Sequence, residues 1–162
     1  VNPGGKLPMT FYKNIDQLPP FDDYDIRKGR TYMYLKEDPL YPFGYGLSYT
    51  NFSITQISLN NDEFSIKDPI KVNFILQNIG SRKGSEVPQI YIEHNGVKKL
   101  KSFNRIFLES NESSEILFKI PISDLERWDS LGNEFSVSSG QYMIHLGTSS
   151  ADLLFSQNFI VK

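Results

Sequence analysis

The segment KVNFILQ, residues 71–77, sets the pattern from which the fold can be predicted. Val72, Phe74 and Leu76 lie two positions apart, and three of the four remaining positions carry polar or charged side chains. Successive side chains of a β-strand point to opposite faces, so this spacing places three apolar groups on one face. The segment is therefore predicted to be a strand with one face in a core and the other in water.

The same alternation recurs at two later points of the chain. The alternating apolar residues are Ile116, Phe118 and Ile120 in one segment and Tyr142, Ile144 and Leu146 in the other. Short alternating runs separated by turn residues are typical of an antiparallel sheet with one solvated face. Some seven predicted strands within roughly 115 residues favour an all-β, immunoglobulin-like antiparallel sandwich, with a small β-barrel as the alternative.

Three local signals refine this prediction. Asn95-Gly96 lies between two strand-like runs, and Asn-Gly is the preferred sequence of a two-residue hairpin turn. Between Phe52 and Leu59 the apolar residues change parity, which predicts a β-bulge in the first strand. The segment 123–126 (SDLE) matches a helix capping box, so a short helical turn is expected there, with Trp128 closing the end of the core.

The first part of the chain has a different texture. Residues 1 to about 49 show no sustained period and contain many Pro and Gly residues, which predicts an extended arm with short strands only at residues 6–12 and 31–35. We predict that the arm ends at residue 45 and that the sandwich starts at residue 46. Because the chain begins with Val1 and has no initiator Met, it is expected to be a piece of a longer protein.

Composition argues against several classes of function. The formal net charge is −2, so there is no cationic excess to neutralise phosphates, and nucleic-acid binding is not expected. No apolar run reaches the roughly 18 residues of a membrane span. Cysteine is absent, and His94 and His145 stand in no metal-ligand spacing, so neither a metal nor another cofactor is expected. No catalytic motif stands out, and no catalytic residue is assigned.

The stretch PLYPFGYGLSYTNF, residues 39–52, concentrates aromatic rings beside prolines and glycines. Such rings either stack on sugars or pack against protein. Each aromatic side chain buries about 150–250 Å² when it packs, so a few of them can dominate a small interface, and packing is the favoured interpretation. Gly44 and Gly46 predict a turn with a positive φ or a close approach of two backbones.

Several motifs, in order along the chain, closely resemble the C-terminal part of glycoside hydrolase family 3, the β-glucosidases and β-xylosidases. They are NPGGKLPMTF (2–11), GRTYMY (29–34), LYPFGYGLSYT (40–50), NIG (78–80), GSEVPQIY (84–91), LKSFNR (100–105), LxxWD (125–129) and GQY (140–142). The later segments resemble the fibronectin type III-like domain of that family, so the resemblance covers nearly the whole chain.

This resemblance implies a division of labour within a longer enzyme. In the family, the nucleophilic Asp lies on an N-terminal barrel and the acid/base Glu usually on the following α/β domain, and neither motif occurs in this chain. Residues 1–45 would be the tail of the α/β domain and a linker arm, and residues 46–162 the accessory sandwich. The implied parent hydrolyses terminal β-glycosidic bonds of oligosaccharides and is secreted or periplasmic, while this chain is expected to be an inactive scaffold.

The scaffold interpretation predicts contacts with the barrel and α/β domains of the same polypeptide. The residues expected to pack between domains are Arg30, Tyr32, Tyr34, Tyr41, Phe43, Tyr45, Tyr49 and Phe52. One alternative is a carbohydrate-binding module with Tyr41, Tyr45 or Trp128 as platforms, and another is a free-standing adhesion or protein-interaction domain. Apolar surface left uncovered predicts that the arm folds back on the sandwich or that copies of the chain self-associate.

Overall fold

The computed structural model describes residues 2–162 as a long arm followed by a β-sandwich. The arm contains a 3-10 turn at Ile15–Gln17 and a four-residue helix, α1, at Thr31–Tyr34. One antiparallel bridge joins Phe11 to Tyr41, and Leu7 exchanges backbone hydrogen bonds with Gly44 and Tyr45. The predicted strand at residues 6–12 is therefore reduced to these two short contacts.

Helix α1 shows that the strand predicted at residues 31–35 is wrong. The Leu35 amide donates to the Thr31 carbonyl over 2.9 Å, which closes a single helical turn. Thr31 has a φ of 62°, a conformation that few residues other than glycine adopt. The turn points Tyr32 at the sandwich, and a tertiary contact of this kind overrides the local β preference of the segment.

Strands follow the arm along the rest of the chain. They are β1 (Phe52–Leu59), β2 (Glu63–Phe64), β3 (Ile70–Asn78), β4 (Gly84–Glu86), β5 (Gln89–His94), β6 (Val97–Phe103), β7 (Ile106–Leu108), β8 (Ser113–Ile120), β9 (Arg127–Asp129), β10 (Glu134–Ser136), β11 (Gly140–Gly147) and β12 (Leu153–Val161).

These strands form two main sheets. The three-stranded sheet has the order β1-β3-β8 and is antiparallel throughout. The five-stranded sheet has the order β2-β12-β11-β5-β6 and is antiparallel except where β2 runs parallel to β12. Two short pairs, β4 with β7 and β9 with β10, lie outside them. Both main sheets have open edges, so the predicted antiparallel sandwich is confirmed and the barrel alternative is excluded.

The core lies between the two sheets. Val72, Phe74 and Leu76 of β3 are at most 1% exposed, as the alternation of residues 71–77 predicts. Ile90 and Ile92 of β5 face them from the five-stranded sheet as members of the same cluster. The other two alternating runs also point inward, although Ile116 is only partly buried.

The hairpin and the bulge are both confirmed. Asn95 and Gly96 have φ values of 53° and 72°, the positive pair that a tight hairpin turn between β5 and β6 requires. In β1 the register with β3 shifts between Thr55 and Ser58, and Gln56 has a φ of 52°. The extra residue returns Ile57 and Leu59 to the core side after the change in parity.

The capping box and the role of Trp128 are not borne out. The helical turn exists as a 3-10 turn at Ile122–Leu125, but Pro121 precedes it and no side chain caps it. Ile122 and Leu125 are buried in the core cluster and fill the place expected for Trp128. Trp128 lies on β9 with 55% of its surface exposed, because β9 and β10 form a separate pair outside the main sheets.

Candidate functional site: the arm packed on the five-stranded sheet

The second face of β5 is covered by the arm. Ile90 and Ile92 point into the core, so Gln89 and Tyr91 point away from it. Gln89 and Tyr91 are nevertheless only 3% and 0% exposed. A residue on the outer face of a sheet is buried only when another element lies over it, and here that element is the arm. We use the name clasp for five residues and the contacts among them. They are Tyr32, Phe43 and Gly44 of the arm and Gln89 and Tyr91 of β5.

Three aromatic rings form the apolar part of the clasp. Tyr32 stacks on Phe43 with 4.4 Å between ring centroids and 19° between ring planes, and it meets Tyr91 edge-on at 5.9 Å. The Tyr32 hydroxyl accepts a hydrogen bond from the Leu100 amide over 2.9 Å. Leu100 lies on the edge strand β6, so its amide has no neighbouring strand to bond, and the Tyr32 hydroxyl is its acceptor instead.

Gln89 is the polar centre of the clasp. Its side-chain amide donates to the Gly44 carbonyl over 3.0 Å and to the Thr148 carbonyl over 2.7 Å, and its Oε1 accepts from the Tyr91 hydroxyl. The Ser150 amide donates to the Phe43 carbonyl over 2.9 Å. One buried side chain thus joins the arm to the loop after β11, and both of its polar atoms are satisfied, as burial requires.

Gly44 allows the arm to approach this closely. Its φ is 80°, and a Cβ at this position would lie 2.1 Å from Oε1 of Gln89 and 2.9 Å from the Tyr91 hydroxyl. Gly46 also has no room for a side chain, since a Cβ there would lie 2.3 Å from the carbonyl oxygen of Gly5 in the arm. The prediction of a positive φ or a close backbone approach at these two glycines is confirmed.

Polar contacts fasten both ends of the arm near the clasp. Lys6 Nζ lies 2.7 Å from Glu86 Oε1, and the two side chains are only 15% and 12% exposed. Oδ1 of Asn2 accepts from the Tyr49 amide over 2.7 Å, and Nδ2 of Asn2 donates to Ser48 Oγ over 3.1 Å. The motif segments that are far apart in the sequence therefore meet in one interface.

Burial changes the acidity of the two tyrosines of the clasp. The pKa of the Tyr91 hydroxyl is raised well above its ordinary value, mainly because the charged form would be buried and secondly because Tyr32 lies close by. Burial also raises the pKa of Tyr32, against the smaller opposing effect of the Leu100 amide. Both groups therefore favour the protonated form in the folded protein.

We expect the free energy of unfolding to fall as the pH rises above about 10, and Tyr91 to account for part of the fall. In the unfolded chain Tyr91 ionises near its ordinary value of 10.0, whereas in the folded chain it keeps its proton. Urea unfolding between about pH 8 and pH 11 measures the slope, and a Tyr91→Phe variant should give a flatter one. Equal slopes for the two proteins would contradict the burial of an un-ionised Tyr91.

The clasp contains only part of the set that was predicted to pack between domains. Tyr32 and Phe43 belong to it. Tyr41 and Tyr45 stack on each other at 5.3 Å, close to the bridge between Phe11 and Tyr41. Phe52 begins β1 and packs against the sandwich core. Tyr41 and Tyr45 therefore pack within the arm, Phe52 packs within the sandwich, and Tyr32 and Phe43 join the two.

The remaining predicted residues, Arg30, Tyr34 and Tyr49, are not part of the clasp. The Arg30 guanidinium donates to two carbonyls of its own loop, residues 20–30, and that loop also contains two ion pairs. Arg30 thus holds the shape of the loop. Tyr34 is half-buried, and Tyr49 is 68% exposed. Contact of any of these residues with another domain stays a prediction.

Sequence reasoning missed Gln89, Tyr91 and the Lys6–Glu86 pair as parts of the site. One signal was present: Ile90-Tyr91-Ile92 has large apolar or aromatic groups at consecutive positions rather than an alternation. A strand without a wet face is buried on both sides, and β5 has this burial. The partner of Lys6 could not be read from the sequence, because a single charge does not identify its counter-ion.

The histidines take part in packing and hydrogen bonding. His94 stacks on Tyr142 with 4.0 Å between ring centroids, and Nδ1 of His145 lies 2.7 Å from Ser156 Oγ. Among residues 2–162, no group of three His, Asp or Glu side chains is placed to hold a metal ion. Within the same residues, no helix is both long and apolar enough to cross a bilayer.

Known protein families and relatives match both the arm and the sandwich of this chain. The family model described as the fibronectin type III-like domain matches residues 86–150, and that of the glycosyl hydrolase family 3 C-terminal domain matches residues 1–49. A xylan 1,4-β-xylosidase of Xylanibacter ruminicola is 38% identical over 93% of this chain, and a periplasmic β-glucosidase of Salmonella typhimurium is 31% identical over 93%. The matches cover 18% and 22% of those two proteins, so the chain spans about a fifth of their length.

Solved structures show the same arrangement of arm and sandwich. β-Glucosidase 3B of Thermotoga neapolitana superposes with a TM-score of 0.86 and 30% identity, over 100% of this chain and 25% of that one. The β-D-glucoside glucohydrolase of Trichoderma reesei gives a TM-score of 0.84 with 26% identity, over 100% of this chain and 27% of that one. The class of protein is thus an arm-bearing fibronectin type III-like sandwich.

The two family models together match well over half of the chain, and in the order that the motifs predict. The chain belongs to glycoside hydrolase family 3 and represents the C-terminal region of that family.

Proposed function

We propose that this chain is the non-catalytic C-terminal scaffold of a family 3 β-xylosidase or β-glucosidase that hydrolyses terminal β-glycosidic bonds of oligosaccharides. The names of the relatives and the small share of their length that the chain matches support this proposal. Catalysis belongs to the barrel and α/β domains of the same polypeptide. Residues 1–45 are assigned to the tail of the α/β domain and its linker, and residues 46–162 to the accessory sandwich.

The clasp is the observation that carries the scaffold role. It joins the arm to β5 and β6 through stacked rings and buried hydrogen bonds, and the Lys6–Glu86 ion pair adds a contact between the arm and β4. The arm matches the C-terminal domain of the glycosyl hydrolase, and the sandwich matches the accessory domain. We infer that the clasp holds the domain to which the arm belongs in a fixed position on the sandwich. The parent is proposed to be secreted or periplasmic, like the Salmonella relative.

The exposed apolar side chains of the arm indicate that another domain of the parent protein packs against it. Nine large apolar side chains of the arm are more than 40% exposed: Met9, Phe11, Ile15, Leu18, Phe21, Tyr24, Ile26, Leu40 and Tyr41. So many exposed apolar groups on one short segment mark an interaction surface. We assign this surface to contact with the rest of the α/β domain. The chain by itself is expected to self-associate through it, and size-exclusion chromatography at several protein concentrations measures this.

An activity assay tests the division of labour. The isolated chain should show no turnover of nitrophenyl β-xylosides or β-glucosides, and the full-length parent should show turnover of at least one. In the parent, a Gln89→Ala variant should shorten the half-life of activity at raised temperature and leave kcat/KM of the surviving enzyme unchanged. Hydrolysis by the pure chain, or a changed KM with unchanged heat stability, would contradict a scaffold role.

The carbohydrate-binding alternative receives no support at the platforms first considered for it. Tyr41 and Tyr45 stack on each other, so the two facing ring surfaces are not open to a sugar. Trp128 meets Phe135 edge-on with 70° between the planes, which does not give a flat double platform. Each of these rings contacts another aromatic ring of the chain, while Tyr41 and Trp128 remain 43% and 55% exposed.

A further inference from the structure

An open groove of about 860 Å³ lies where the start of the arm meets the short β4–β7 pair. Its walls carry two aromatic rings, Tyr49 and Phe107, and three cationic side chains, Arg82, Lys83 and Arg105. Neither the clasp nor the apolar surface of the arm uses the cationic side chains. The volume falls in the range of about 300–1,000 Å³ that is common for small-molecule sites.

The groove concentrates positive charge on a chain whose formal net charge is −2. No Asp or Glu lines it. Lys83 has a distant and exposed partner, Glu109, at 3.9 Å. The guanidinium groups of Arg82 and Arg105 have no hydrogen-bond or ion-pair partner among residues 2–162. Two forks of donors are therefore available to a carboxylate, which guanidinium binds through two parallel hydrogen bonds.

The two rings give the groove a second chemical character. Tyr49 is 68% exposed and Phe107 is 57% exposed, so each presents a ring surface to solvent. An aromatic face packs well against the C–H face of a pyranose ring, because both surfaces are flat and apolar. Ser85 and Asn2 also line the groove, and the side-chain amide of Asn2 is already hydrogen-bonded to Ser48 and to the Tyr49 amide. Flat apolar surface beside unpaired guanidinium suits a sugar that carries an acid.

We propose that this groove binds an oligosaccharide bearing a uronic acid, with Tyr49 and Phe107 against the sugar rings and Arg82 and Arg105 on the carboxylate. Tyr49 would then contact a sugar and would not pack between domains as the sequence predicted. An acidic protein surface is the competing occupant. Arginine and aromatic residues are also enriched at protein interfaces, so composition does not separate the two occupants, whereas a concave site of about 860 Å³ favours a small ligand over a protein surface.

Calorimetric titration of the 162-residue chain at low salt tests the proposal. The probes are a glucuronic acid-substituted xylo-oligosaccharide, a neutral xylo-oligosaccharide of equal length and a poly-glutamate peptide. The acidic sugar should bind at least about tenfold more tightly than the neutral one, since only it can use the guanidinium pair. An Arg82→Gln/Arg105→Gln double variant should lose that preference, and Tyr49→Ala should weaken binding of both sugars. Lys119→Gln, an exposed site on β8, is the control and should bind like the unchanged protein.

Two results would overturn the proposal. One is equal or absent binding of the two sugars. The other is peptide binding as tight as that of the acidic sugar together with no effect of Tyr49→Ala, which would show a generic anionic or protein contact. Because binding is measured on the isolated chain, failure here leaves the scaffold role untouched, and that role is decided by the activity assay on the parent.

Discussion

Replacing Gly44 with valine should destabilise the protein by about 3–5 kcal/mol and release the arm from the sheet. A β-branched residue at a φ of 80° is strained, and its Cβ would lie 2.1 Å from Oε1 of Gln89. The Gln89 side chain has to move, so its bonds to the arm and to the Thr148 carbonyl are lost in a buried place. Urea unfolding measures the loss of stability, and limited trypsin digestion at Lys6, whose side chain is 15% exposed in the docked arm, reports release of the arm.

Gly29→Val is the matched control for this variant. Gly29 has a φ of 90°, so the backbone strain is similar, but no heavy atom lies within 4 Å of a Cβ there. It should cost about 1–3 kcal/mol from strain alone and leave the clasp intact. Adding Gln89→Ala to Gly44→Val should recover part of the lost stability if the steric conflict with Gln89 is the cause. Equal effects of the two glycine variants would mean that the clasp contributes nothing measurable.

Replacing Phe74 with alanine should cost about 3–5 kcal/mol, a large part of the 5–15 kcal/mol that stabilises a typical domain. Phe74 is 0% exposed at the centre of β3 and stacks on Phe118 with 5.8 Å between ring centroids. Its removal leaves a cavity between the two sheets that rigid β-strands cannot close. Urea unfolding should show a lower midpoint with little change in the slope.

Leu117→Ala provides the comparison on the neighbouring strand. Leu117 lies on β8 with 50% of its surface exposed, and its side chain is on the outer face. A loss of less than about 1 kcal/mol is expected there. A similarly small loss for Phe74→Ala would show that the core between the sheets is not closely packed.

The alternation of apolar residues was sufficient to predict the sandwich, because burial on one face leaves a period of two in the sequence. Val72, Phe74 and Leu76 show this directly. The hairpin at Asn95-Gly96 and the parity change in β1 were also readable, since each depends on a local backbone requirement. The sequence therefore predicts the features that are determined by residues close together in the chain.

The clasp was not predictable in the same way. Gln89 and Tyr91 are buried because a segment some fifty positions away lies over them, and no local period records that contact. The turn at Thr31–Tyr34 was mistaken for a strand for a related reason, because its conformation depends on the docking of Tyr32 at the sheet edge. Within the aromatic stretch, Phe43 and Phe52 pack on protein while Tyr49 is 68% exposed, and the contact of Gly44 with Gln89 on β5 came only from the structure.

The close passage of Gly5 and Gly46 bears on how the arm could be lengthened. Where two backbones touch, an added residue would shift every later contact, so the spacing there has to be kept. The loop at residues 20–30 is different, because its hydrogen bonds and ion pairs are internal and its side chains are mostly in water. A reporter peptide grafted between Asp22 and Asp23 should leave the unfolding midpoint of the sandwich unchanged, whereas the same graft beside Gly46 should lower it.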